Sequence, residues 1–177
     1  MRSVFLFSLF IIVVSSGCKK LSELTRFNID YNTTATIPSA TGINLPFNIF
    51  TPDVETNSSS TFSVNNTNKD LVEEIKLSTL RLELTSPSGA DFSFLKSVNI
   101  YISASGLPEV KMAWKDVVPD NAGATINLDV SSADLKEYIK KDKFSLRLNS
   151  VTDELITAEH RLNIFSTFAV DAKVLGL

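Results

Sequence analysis

Apolar residues recur at every second position along most of this chain, and that period leaves few folds open. Phe27, Ile29 and Tyr31 alternate with polar neighbours, as do Val98, Ile100 and Ile102, then Val110, Met112 and Trp114, then Ile126, Leu128 and Val130, then Phe144, Leu146 and Leu148. Successive side chains of a strand point to opposite faces, so the pattern describes strands with one buried and one wet face. Phe47 and Ile49 follow Pro46, and Phe62 with Val64 reads as a short strand after the polar loop Asn57–Ser60. The last run, with Leu162, Ile164, Phe168, Val170 and Val174, keeps one parity throughout. Another run changes phase within itself: Ile75 and Leu77 share one parity, Leu80, Leu82 and Leu84 the other. One inserted residue swaps the faces of a strand, which predicts a β-bulge near Ser78–Thr79.

Turn chemistry separates the runs, at Ser86–Pro87–Ser88–Gly89, Ser105–Gly106–Leu107–Pro108 and Pro119–Asp120–Asn121–Ala122–Gly123. One helix is expected, from Ala133 to Lys141, capped by Ser131 or Ser132, with Asp134 in its first turn, lysines in its last, and Leu135 and Ile139 as its buried stripe. Asp70 to Ile75 can form a further helical turn, and Phe92–Ser93–Phe94–Leu95 reads as a loop plugging the core. Short strands at hairpin-like spacing predict an all-β fold, an antiparallel immunoglobulin/fibronectin-like β-sandwich with one short helix. A small β-barrel is the alternative. The Cys…Trp…Cys spacing of immunoglobulin domains is absent.

The N-terminus has a different character. Met1–Arg2–Ser3 leads into an apolar stretch, Val4 to Val14, and then Ser15–Ser16–Gly17–Cys18, which holds the chain's only cysteine. The stretch is shorter than the about twenty residues a bilayer-spanning helix needs and fits the core of an export signal. This segment resembles the signal peptide and lipobox of a bacterial lipoprotein, and Lys19–Lys20 with the Asn-, Ser-, Thr- and Phe-rich composition resembles lipoproteins of Bacteroidota. Ser15 departs from the Leu or Val usual at that place in the lipobox. The resemblance implies a signal peptide over residues 1–17 and an acylated tether over 18–24 beginning at lipidated Cys18; the alternation that follows predicts a single β-sandwich domain over 25–177. It implies a membrane partner through the lipid anchor and a place in the cell envelope, at the outer membrane. Lys19 to Glu23 carries one acid, which leaves the periplasmic and outer faces both open. An ordinary secretory signal, with Cys18 incidental, is the competing reading. One cysteine forms no internal disulfide, and lipidation accounts for an exported unpaired thiol.

A formal net charge of −3 argues against nucleic acid as a partner, since phosphate contact needs a basic surface. No cofactor or metal is expected. His160 is the single histidine, at the start of the last strand, with no nucleophile motif beside it. Asn66–Asp70 spaces oxygen ligands like a calcium loop, but Leu71 and Leu77 stand where that loop needs Gly and Glu. The carboxylate pairs Asp53/Glu55 and Asp153/Glu154 lie in polar loops. Trp114 is the one aromatic singled out for surface binding, because tryptophan is enriched at binding hot spots, although its parity with Val110 and Met112 places it in the core. The functional expectation is a membrane-anchored, non-enzymatic structural or binding module with a protein or glycan partner. The alternative is a carrier holding a hydrophobic ligand, a lipid, between the sheets.

Overall fold

The computed structural model describes residues 26–39 and 43–173. Cys18, the tether and Val174 lie outside them. The strands are β1 (Arg26–Ile37), β2 (Pro46–Phe50), β3 (Val54–Glu55), β4 (Val72–Ser86), β5 (Leu95–Ser103), β6 (Val110–Lys115), β7 (Thr125–Asn127), β8 (Asp129–Val130), β9 (Lys143–Thr152) and β10 (His160–Ala172). Among the described residues two helices join them, α1 (Ser58–Val64) and α2 (Lys136–Ile139).

Two antiparallel sheets face each other, and no barrel closes among the described residues. The smaller runs β1-β10-β4-β7 and the larger β2-β9-β5-β6-β8, with β3 also on β9. The first strand pairs with the last, β10, and the second with the last but one, β9. This is jelly-roll connectivity, which the alternation alone could not separate from an immunoglobulin-like order. Rings from opposite sheets meet in the middle: Tyr31 of β1 lies 5.2 Å from Phe144 of β9, and Phe144 lies 6.3 Å from Phe168 of β10. The inner faces are thus joined by edge-to-face aromatic contacts, each contributing about 0.5–1.5 kcal/mol beyond simple burial. Phe92 and Phe94 do plug the core from a loop, while Leu95 opens β5.

The expected bulge is present. Leu77 pairs with Phe168 and Thr79 with Thr167, leaving Ser78 without a partner residue in the ladder. Ser78 Oγ donates to the Thr167 carbonyl at 2.9 Å. Leu77 and Leu80 are both buried, which is why the phase must change between them.

A second bulge overturns an expectation. In β6, Lys111 pairs with Tyr101 and Ala113 with Ile100, so Met112 is the extra residue. Met112 and Ala113 are both fully buried. The following residue, Trp114, therefore turns outward opposite Asn99, against its parity with Val110 and Met112.

Other expectations are corrected by tertiary contacts. The segment read as loop and strand at 57–64 is helix α1, held by Phe62, which is fully buried and sits 6.3 Å from Phe27, while Val64 is 79% exposed. Burial stabilises this turn where Ser-rich propensity does not. The helix expected over Ala133–Lys141 shrinks to α2, because Ile75 takes the preceding backbone: its N–H donates to Asp134 Oδ1 at 3.1 Å and its carbonyl accepts from Leu135 N–H at 2.7 Å. Leu135 and Ile139 are buried as the stripe requires. At Asp70–Ile75, Asn68 Oδ1 accepts from the N–H groups of Asp70 and Leu71, a local turn, and β4 begins at Val72. The single run Ile126–Val130 divides between sheets: β7 pairs with β4 and β8 with β6.

Candidate functional site

The outer face of the larger sheet gathers side chains that are far apart in sequence. Antiparallel register sets them in two cross-strand rows. One row reads Asn48, Asn149, Asn99, Trp114 and Asp129 across β2, β9, β5, β6 and β8. The adjacent row reads Phe50, Arg147, Tyr101 and Lys111. Their inward neighbours Leu146, Leu148, Ile100, Met112 and Ala113 are buried, which fixes these groups on the solvent side. Strands lie about 4.8 Å apart, so the platform from β2 to β6 spans about 14 Å.

Arg147 organises the centre. Its Nε and Nη2 donate to Glu109 Oε1 and Oε2 at 2.8 and 2.5 Å, and its Nη1 donates to Asn48 Oδ1 at 2.6 Å. The guanidinium also stacks 4.2 Å from the Tyr101 ring centroid. Asn149 Nδ2 donates to the same Asn48 Oδ1 at 3.0 Å. The hydrogen bond from Arg147 holds the Glu109 carboxyl below the usual carboxylate range, outweighing partial desolvation, so the pair stays doubly ionised. Across the sheet, Lys111 Nζ lies 4.9 Å over the Trp114 ring and 3.4 Å from Asn99 Oδ1. Phe50 at the β2 edge is 69% exposed. The amide nitrogens of Asn48 and Asn99 and the Oδ1 of Asn149 have no partner among the described residues.

Such a surface offers aromatic rings, amides with open donors and acceptors, and a rigid charged pair. It can stack a flat apolar face and hydrogen-bond groups around its rim. It holds no nucleophile paired with a base. The smaller sheet's outer face carries a single ring among the described residues, Phe165, which lies 4.2 Å from Arg81 as Tyr101 lies 4.2 Å from Arg147, so the larger sheet differs in bringing three rings together rather than in leaving each one bare.

Of the residues singled out from sequence, Trp114 alone belongs to this face, and Cys18 lies outside the described residues. His160 shares a shallow hollow of about 230 Å³ with Asp91 and Glu154. Its Nδ1 faces the Ala158 carbonyl at 2.9 Å and its ring packs 4.7 Å from Phe94. Asp91 is engaged by Ser93, whose hydrogen bonds hold the carboxyl below its ordinary range. No hydrogen bond links His160 to a carboxylate or a hydroxyl among the described residues, so the hollow assembles no triad. Asp53 pairs with Lys143 at 2.5 Å, and Asp153 and Glu154 are exposed in a loop. No cluster of metal-ligating side chains forms among the described residues, and no described helix is long and apolar enough to cross a membrane.

The alternation marks Arg147, Asn149, Asn99 and Tyr101 as outward but is silent on which strands lie side by side. Phe50 and Glu109 carried no signal in the sequence.

No protein-family model matches the chain, and no curated protein matches it. Among solved structures, it is similar to a chain from tomato aspermy virus, with 12% identity and a TM-score of 0.29 over 83% of this chain and 80% of that one. Turnip yellow mosaic virus gives 8% identity and a TM-score of 0.29 over 85% and 97%. A structure described for carbohydrate-binding modules of the β-sandwich superfamily gives 14% identity and a TM-score of 0.27 over 87% of this chain and 58% of that one. At these values the likenesses carry nothing about ligand or assembly.

Proposed function

We propose that the protein is a non-enzymatic glycan-binding module, held at the outer membrane of a bacterial envelope by acylated Cys18. The observation that carries the reading is the pair of cross-strand rows on the larger sheet, where Trp114, Tyr101 and Phe50 alternate with amides and the Arg147–Glu109 pair. A sugar ring has an apolar C–H face and a rim of hydroxyls, each both donor and acceptor. Aromatic faces match the first and planar amides the second, and side chains already fixed by hydrogen bonds lose little entropy on binding. The length of the platform suits a short oligosaccharide better than a single sugar. The anchor is a separate part of the proposal: two or more acyl chains on Cys18 would hold the module stably at the membrane.

Affinity electrophoresis of the full chain in gels containing soluble glucans, mannans, xylans, galactans or uronic acid polymers tests the binding. At least one polymer should retard the protein. Trp114→Ala should abolish the retardation, and Phe165→Ala on the opposite sheet should leave it intact. Equal loss in both variants, or no retardation in any polymer, overturns the glycan reading. Cell fractionation tests the anchor separately: Cys18→Ala should move the protein from the membrane to the soluble fraction, and retention in the membrane would refute lipidation.

A further inference from the structure

Lys111 differs from Arg147 and Lys143, the β9 cations on the same side of the sheet, which pair with Glu109 and Asp53. The charge of Arg147 is answered by both oxygens of Glu109. Lys111 has no carboxylate in ion-pair reach among the described residues; its ammonium group has only the Trp114 ring at 4.9 Å and Asn99 Oδ1 at 3.4 Å. An uncompensated cation beside an indole face and an amide is suited to a ligand with a flat apolar body and one negative charge.

We propose that the face selects glycans bearing carboxylate groups, that is, uronic acid residues, over neutral ones. Lys111 supplies the charge, Trp114 the stacking surface, and the open amide nitrogen of Asn99 a second donor. This rests on the glycan-binding reading above. Arg147 and Glu109 cancel. Asp129 lies across the outermost strand pair from Trp114 and opposes an anion there. The one positive charge that Lys111 leaves unanswered matches the single charge of a carboxylate.

Trp114 is the chain's only tryptophan, so its fluorescence reports the site directly. The full chain is titrated with tetramers of galacturonate, mannuronate and guluronate, each beside its methyl ester, which keeps the ring and linkage and removes the charge. At least one acid should bind about tenfold tighter than its ester at low salt, with the ratio shrinking as salt screens the pair. Lys111→Gln should bring the acid-to-ester ratio close to one, and Asp129→Asn should raise it. Equal binding of acid and ester, or a preference that survives Lys111→Gln, overturns the inference. If neutral oligosaccharides bind and Trp114→Ala abolishes that binding while no acid preference exists, this inference fails and the glycan-binding reading stands. If no oligosaccharide of either kind binds, both fail.

Discussion

Trp114→Ala separates the bulged strand from the regular one that the sequence pattern predicts. In a regular strand Trp114 would share the inward face of Val110 and Met112, and truncation would leave a cavity costing about 3–5 kcal/mol. With Met112 as the extra residue, Trp114 is half-buried on the outer face opposite Asn99. Truncation then removes partial burial, about 1 kcal/mol, and the contact with Lys111, about 0.5–1 kcal/mol for a cation over an exposed ring. The expected loss is about 1–2 kcal/mol. Met112 is fully buried and provides the internal comparison: Met112→Ala should cost about 2–5 kcal/mol. Urea unfolding of both variants, followed by far-ultraviolet circular dichroism because the tryptophan is lost in one, gives the two values. Trp114→Ala should be the milder. A loss of 3 kcal/mol or more (about the low end for a core tryptophan), or one exceeding that of Met112→Ala, would refute the bulge and with it the placement of Trp114 on the binding face.

Three further outcomes follow from the same structure. Burial raises the Tyr31 phenol from 10.0 to about 12; between those values the unfolded chain releases the proton and the folded chain keeps it, so stability should fall as pH rises through that window. Discounted for partial exposure, the fall is about 1 kcal/mol, and Tyr31→Phe should flatten it in alkaline urea titrations while losing about 1 kcal/mol at neutral pH with the hydrogen bond to the Thr56 carbonyl. Thr56→Val keeps shape but removes a buried hydroxyl that donates to the Lys141 carbonyl and accepts from Ser58 N–H, and should cost about 1–3 kcal/mol by thermal or chemical unfolding. Gly106 turns the chain from β5 to β6 at φ +77°, where an added Cβ meets nothing within 4 Å, so Gly106→Ala should lose about 1–2 kcal/mol through backbone strain alone, and an unchanged midpoint would deny that strain.

The sequence by itself determined the all-β class, because alternation is a local property: most positions of one parity in β1, β5, β9 and β10 are apolar, with exceptions such as Thr33, Ser150, Thr152 and Ser166, and such strands are buried by packing sheet on sheet or by closing a barrel. It also disclosed the bulge at Ser78, since leucines on both sides of it fall on opposite parities and only an inserted residue reconciles them. The bulge at Met112 stayed hidden for a matching reason. Val110, Met112 and Trp114 keep one parity, Ala113 reads as neither core nor surface, and the extra residue is defined only by the partner strand β5. Helix α1 was equally illegible, because a Ser-rich turn forms there only when Phe62 finds the core. The tertiary structure alone decided the site. Asn48 and Arg147 meet across 99 residues of sequence, and Arg147 and Glu109 across 38. Alternation states which way a side chain points, but not which strand lies beside it. Neighbours within a row are fixed by sheet order and register, which long-range pairing sets through burial of the opposite face, so a surface built across four strands leaves no contiguous mark in the chain.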